Sequence, residues 1–182
     1  MICLCSSSET RAMLLTKFKI NFIQKSPRYD EDKINTKIAK EFVYQASLGK
    51  LESGIKEFEI DIPLLSADTV IASSTGEILR KAKNREDVKR ILEIQSGSKI
   101  SIISSVHYKS KDILFSNISR TNYNFHKFNK DDLENYINSG LWKGKAGGCM
   151  VEGFCKKYIK SVDGLESNAM GLQIEVISPW IK

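Results

Sequence analysis

Asp68 stands inside LLSADTVIA, an otherwise apolar run suited to a buried strand. Charged groups are rarely buried without a partner or a metal, so a carboxylate there calls for a cation. A turn or a structural ion pair would account for it equally well. Near the start of the chain, SSSETRAMLL sets Ser6 and Ser8 just ahead of a helix that carries Arg11 in its first turn. A cation at that end opposes the helix dipole at a cost of about 0.3–1 kcal/mol. Hydroxyls and unpaired N–H groups at a helix N-terminus bind anions, and Arg11 would add a bidentate clamp for a phosphate. The plainer reading is that Ser8 only caps the helix and Arg11 lies on the surface, and Glu9 favours it by placing a negative charge alongside.

Other candidates carry a functional and a bland reading side by side. Glu31 sits in the acid-rich loop YDED and reads alone as solvated, while Lys81 in EILRKAK could reach a polyphosphate or be an exposed strand lysine. The same choice applies to Lys50 and Lys145. His107 and His126 have no acidic or cysteine neighbour at ligand spacing, and Trp142 and Trp180 read as packing residues. Cys149 and Cys155 lack the C-x-x-C spacing of a zinc site, and with Cys3 and Cys5 they read as buried thiols in a reducing compartment.

A chain of 182 residues, 41% hydrophobic and 27% charged, fits one globular domain. No apolar stretch approaches the ~20 residues of a membrane helix, and MICLC lacks the basic and apolar regions of an export signal. The reading is a cytoplasmic protein with no membrane partner. A net charge of +6 points to an anionic partner, but lysines and arginines are scattered, with no block that reads as a nucleic-acid arm.

These side chains need elements to hold them. The pattern predicts a strand at 2–5, a helix at 9–18 with Met13, Leu14, Leu15 and Phe18 inward, and a strand running into a proline-containing loop. A helix at 35–51 presents Ile38, Phe42 and Ala46, and residues 52–61 read as a polar connector. A buried strand, a hairpin at SSTGE and a second strand precede a helix capped by Asn84, with Val88, Ile91 and Leu92 inward. Residues 99–128 alternate with period two, as an antiparallel pair does. Asn129 begins a helix with Leu133, Tyr136 and Ile137 inward, which Gly140 ends. Alternating strands and helices followed by antiparallel strands make an α/β fold.

In order along nearly the whole chain, these segments resemble the Maf family of nucleoside triphosphate pyrophosphatases. CLCSSSETRAMLL is similar to L-A-S-x-S-P-R-R-x-x-L-L, with Ser6, Ser8 and Arg11 in register. SPRYDE resembles the family loop ending in Asp-Glu and puts Glu31 at its acidic position. SADTV matches G-A-D-T-V, aligning Asp68 and Thr69. GEILRKAKNREDVKRIL aligns Lys81 with the family lysine, and YINSGLWKGKAGGCMVEG is similar to Y-x-x-S-G-x-x-x-x-K-A-G-x-Y-x-x-Q-G. Thr10 stands where the first of two arginines is usual, Glu9 and Ala82 replace prolines, Lys50 aligns after a one-residue shift, and Glu152 replaces a glutamine.

The resemblance implies a single nucleotide pyrophosphatase domain over residues 1–182. Its fold would be an elongated mixed β-sheet flanked by helices, with two lobes and a nucleotide cleft between them, similar to inosine triphosphatases. It implies a hydrolase that splits a triphosphate, canonical or modified, into monophosphate and pyrophosphate, with a house-cleaning role and a link to cell-division arrest. Asp68 becomes the catalytic acid/base, and Glu31 and Asp68 the ligands of Mg²⁺ or Mn²⁺. Ser6, Ser8, Arg11, Lys50, Thr69, Lys81 and Glu152 become substrate-binding residues. A homodimer is implied by the family alone. Asp68-Thr69 looks like the branch acting on dTTP and UTP, whereas Glu152 before Gly153 looks like the branch acting on 7-methyl-GTP. The alternative is a nucleotide- or nucleic-acid-binding regulator that keeps the fold and has lost turnover, a reading raised by Thr10 and Glu152.

Overall fold

The computed structural model describes residues 1–59 and 61–181. Its elements run β1 (Ile2–Cys5), α1 (Glu9–Lys17), β2 (Phe22–Lys25), α2 (Ala39–Glu57), β3 (Leu64–Ala72), β4 (Ile78–Leu79) and α3 (Arg85–Gln95). Then follow β5 (Lys99–Lys109), β6 (Leu114–Phe125), α4 (Lys130–Ser139), β7 (Ile159–Asp163), α5 (Glu166–Ala169) and α6 (Ile174–Ile177). The seven-stranded sheet has the order β2-β1-β3-β5-β6-β7, with β4 on β3. It is mixed: β1 pairs parallel with β2 and β3, whereas β3–β4 and β6–β7 are antiparallel. Among the described residues no helix is long and apolar enough to cross a membrane.

The chain falls into two compact units, the first made of Met1–Thr69, Ile103–Arg120 and Leu165–Lys182, the second of Val70–Ile102 and Thr121–Gly164. In the first unit, MICLC does not alternate because β1 has parallel neighbours on both sides and is covered on both faces. Ile2 and Leu4 join Leu14 and Leu15 of α1, Leu65 of β3, Val106 of β5 and Leu172, Ile174 and Ile177 near the C-terminus. Cys3 and Cys5 face the other way, with Leu51 of α2 and Leu64. Full burial of each large aliphatic side chain is worth about 1.5–3 kcal/mol.

In the second unit, Asn84 caps α3 by accepting from the Asp87 N–H, and Val88, Ile91 and Leu92 are buried. Asn129 accepts from the N–H groups of Asp131 and Asp132, and Gly140 ends α4 in the left-handed region at φ 68°. The glycines of KAGG serve close packing here. A Cβ on Gly147 would lie 2.5 Å from Ile71 Cδ1, and one on Gly148 would lie 2.8 Å from Val88 Cγ2.

Several expectations give way. Met13, Phe18 and Ile38 are exposed, and Tyr136 is only half-buried, with its hydroxyl donating to the Gly148 carbonyl. Residues 52–57 continue α2 rather than forming a connector, and residue 60 of that stretch lies outside the described residues. Gly54, within that stretch, sits where a Cβ would come 2.9 Å from Cys5 Sγ, so the helix passes the sheet closely at that point. Cys149 and Cys155 are joined in a disulfide rather than standing as free thiols, while Cys3 and Cys5 remain free and buried.

Candidate active site

Arg11 is buried, and its guanidinium is held on three sides. Nε donates to the Gly171 carbonyl at 2.8 Å, Nη1 to Ser6 Oγ at 2.9 Å and Nη2 to Thr69 Oγ1 at 3.2 Å. A guanidinium carries five N–H bonds, so these three fix its plane and leave two to give to an anion. Ser8 caps α1 by accepting from the Arg11 N–H, and Ser6 Oγ also accepts from the Ser8 N–H. The plainer reading is half right: the serine is a cap, but the arginine is buried against β3 rather than lying on the surface. Gln24 of β2 ties down the turn by donating to the Ser6 carbonyl at 2.7 Å.

Lys50 stands between two carboxylates, with Nζ 2.6 Å from Asp68 Oδ1 and 2.5 Å from Glu31 Oε1. α2 delivers it by helical spacing, because Val43, Ala46, Ser47 and Gly54 bury the face on which Lys50 lies. One turn earlier, Ser66 Oγ of β3 donates to the Ser47 carbonyl at 2.7 Å, so residues 47 and 66 meet, and then 50 and 68. Glu31 arrives on a short 3-10 turn, Glu31–Lys33, whose loop lies against α2. That approach needs a glycine at 49, where a Cβ would fall 2.1 Å from Tyr29 Cε2. The other end of the loop is pinned where the Arg28 N–H donates to the Glu57 carboxylate at 3.0 and 3.2 Å.

Burial grades these charges. Asp68 exposes 8% of its side chain, Lys50 17% and Glu31 37%. Desolvation raises the Asp68 pKa above the usual carboxylate range, with Lys50 and Arg11 pulling the other way. The same desolvation lowers the pKa of Arg11, against the fields of Asp68 and Glu31.

Of the residues singled out from sequence, Ser6, Ser8, Arg11, Glu31, Lys50, Asp68 and Thr69 all belong to the first unit; Ser6, Ser8, Arg11 and Thr69 are bonded in one group, and Glu31 and Asp68 meet Lys50 in another, with Thr69 following Asp68 along β3. Lys81 and Glu152 belong to the second unit and are exposed there. Lys81 bridges to Ala146, and the Gly147 N–H bonds to the carbonyls of Leu79 and Arg80. Lys145, also in the second unit, donates to the Leu141 carbonyl. Sequence reading passed over Gln24 and Ser104, and it gave no role to Gly171, which lies in NAMGL, a segment similar to the family's N-V-V-G-L. Ser104 Oγ lies 2.8 Å from Thr69 Oγ1 and donates to the Asn168 carbonyl at 2.9 Å. Nothing in the local pattern marks the Arg11–Gly171 bond, which joins residues 160 apart.

Among the described residues no three His, Cys, Asp or Glu side chains form a group that could hold a metal ion. Two carboxylate oxygens nevertheless converge on one cationic atom, Lys50 Nζ. One or two carboxylates are what Mg²⁺ takes from protein when substrate oxygens and water complete its shell, and here the Glu31 and Asp68 carboxylates are both engaged by Lys50.

The Maf-like protein family matches residues 1–182. A nucleoside triphosphate pyrophosphatase from a Nitratiruptor species is 50% identical over 184 residues, covering 100% of this chain and 99% of its own. One from Helicobacter pylori (strain J99 / ATCC 700824) is 34% identical over 170 residues, covering 93% and 89%. Another from Campylobacter jejuni subsp. jejuni serotype O:23/36 (strain 81-176) is 33% identical over 186 residues, covering 100% of both chains. A solved nucleoside-triphosphatase / dITP/XTP pyrophosphatase from Mycobacterium abscessus matches 68% of this chain and 73% of its own at a TM-score of 0.45 and 12% identity.

Proposed function

The chain belongs to the Maf-like protein family, and on that premise we propose that it hydrolyses a nucleoside triphosphate to the monophosphate and pyrophosphate at the cluster of Arg11, Glu31, Lys50 and Asp68. The observation that supports this site is the convergence of two carboxylates on Lys50 Nζ, with Arg11 bonded to Thr69 beside Asp68. Phosphoryl transfer calls for positioning and charge stabilisation more than covalent help.

Arg11 offers its two remaining N–H bonds to phosphate oxygens, held in plane by Ser6, Thr69 and Gly171. Ser6 and Ser8 shape the turn at the head of α1, where backbone N–H groups favour an anion. Lys50 holds Asp68 and Glu31 together and adds a second positive charge for the departing pyrophosphate. Asp68 accepts the proton of the attacking water, a role suited to a carboxyl that burial has made more basic. Glu31 and Asp68 would hold Mg²⁺ or Mn²⁺, and when bound that ion supplies charge neutralisation on the phosphoryl oxygens.

Lys81 enters as a polyphosphate contact and Glu152 as an acceptor for a donor edge such as that of guanine; both assignments rest on their motif positions. A homodimer is part of the same proposal and is carried by the resemblance alone. The test is pyrophosphate release with Mg²⁺ or Mn²⁺ over a panel of canonical and methylated triphosphates. Turnover of at least one nucleotide supports the reading. Nucleotide binding with no turnover across the panel replaces it with a binding regulator.

A further inference from the structure

The five residues between Cys149 and Cys155 form a small ring closed by the disulfide, with exposed Glu152 at its centre. Both cysteines are buried, at 5% and 0% exposure, and both are fixed independently of the sulfur–sulfur bond. Ahead of Cys149, the Gly147 carbonyl accepts from Gln95 Nε2 at 2.6 Å and the Gly148 carbonyl accepts from the Tyr136 hydroxyl at 3.0 Å. Ahead of Cys155, Phe154 stacks on Tyr136 with ring centroids 4.4 Å apart and packs edge-on against Phe128. The two sulfurs thus stay neighbours when the bond is opened.

The reduced state has its own compensation. Cys149 Sγ lies 3.8 Å from Oε1 of Gln95, a residue with no exposure. A thiol there donates a hydrogen bond to the amide oxygen, whereas a disulfide sulfur has no hydrogen to give. Oxidation therefore exchanges a buried hydrogen bond for a covalent closure of the ring, and each state satisfies what the other leaves open.

We propose that Cys149 and Cys155 form a reversible thiol–disulfide site whose state sets how the ring presents Glu152, and with it the enzyme's preference among nucleobases. The second half rests on the reading of Glu152 as a base contact. With a peroxide as oxidant, one thiolate attacks a peroxide oxygen, the O–O bond breaks and the hydroxide released takes a proton to become water. The second thiol then attacks the sulfenic sulfur, the S–O bond breaks and a second water leaves. Two electrons pass from the sulfurs to one peroxide, and a dithiol returns them by exchange.

The test uses the full chain, treated with hydrogen peroxide or dithiothreitol in its folded state, quenched and alkylated under denaturing conditions for mass spectrometry. The same samples are assayed for the ratio of kcat/KM between GTP and UTP. The expected result is that the Cys149–Cys155 pair interconverts and that the ratio changes about fivefold or more between states. Cys155→Ser should not respond. Cys149→Ser, whose hydroxyl can donate to Gln95 Oε1, should reproduce the reduced ratio. A pair that dithiothreitol never opens, or one that interconverts with an identical ratio in both states, overturns the proposal. If the ratio follows the redox state but ignores Glu152→Gln, the switch stands and the assignment of Glu152 to the base falls.

Discussion

Lys50 stands 2.5 and 2.6 Å from two carboxylates in the first unit, while Arg85 and Lys89 stand 2.9 and 3.0 Å from the Glu134 carboxylate in the second. By distance the two clusters are alike. They differ in exposure: the Arg85, Lys89 and Glu134 side chains are 43–51% accessible, against 8% for Asp68, 17% for Lys50 and 37% for Glu31. In water-facing surroundings an ion pair is screened and gains little, whereas a desolvated one is costly to break and shifts the pKa of its members. The exposed cluster fastens α3 to α4, and the buried one carries charge where it could act on a ligand. Contact distance alone would not have separated them.

If that contrast is sound, Asp68→Asn should give the largest effect, lowering kcat about a thousandfold while KM changes little, as loss of a general base does. Near-wild-type turnover would erase the distinction between the clusters. Arg11→Lys keeps the charge but loses the planar fork that Ser6, Thr69 and Gly171 hold, and kcat/KM should fall about a hundredfold. Lys50→Met leaves Asp68 and Glu31 facing each other without their cation, and denaturant unfolding should show a loss of about 3 kcal/mol at neutral pH. That loss should shrink in acid, where the carboxylates are protonated.

The pH dependence sharpens the same point. Because burial raises the folded Asp68 pKa above its unfolded value, the native state holds this proton more tightly. The contribution is fully present below the unfolded pKa and is lost as pH rises through the folded one. Stability followed against pH should therefore lose this downward slope in Asp68→Asn, and the acid limb of kcat should lie above the ordinary carboxylate range. The smallest effect belongs to the exposed cluster, where Glu134→Gln should move Tm by about a degree and leave kcat unchanged.

Much of the frame was legible in local pattern. β1, β3 and the β5–β6 pair follow from apolar runs and period two, and the caps of α1, α3 and α4 from Ser8, Asn84 and Asn129. The end of α2 was not, because residues 52–57 look like a polar connector in isolation and the close approach of Gly54 to Cys5 depends on the sheet beside it. Met13 and Phe18 fit a helical period yet face outward, since the period does not say how wide the covered stripe is. In the candidate site, Asp68 announced itself as a charge in a buried run. Its partner Lys50 did not, being one lysine among many until α2 and β3 were laid together. Ser104 gave no signal at all, and the role of the Gly171 carbonyl gave none, as backbone carbonyls and small hydroxyls act only through tertiary placement. The Cys149–Cys155 pairing was missed because spacing along the chain does not fix a distance across a loop.

The reaction itself can be read directly by following the hydrolysis of a turned-over triphosphate in ¹⁸O-water by ³¹P NMR. The account predicts monophosphate and pyrophosphate in equal amounts, with a single solvent oxygen incorporated between them, and no such products from Asp68→Asn. Release of orthophosphate with the nucleoside diphosphate, or an unchanged product yield from that variant, would contradict it.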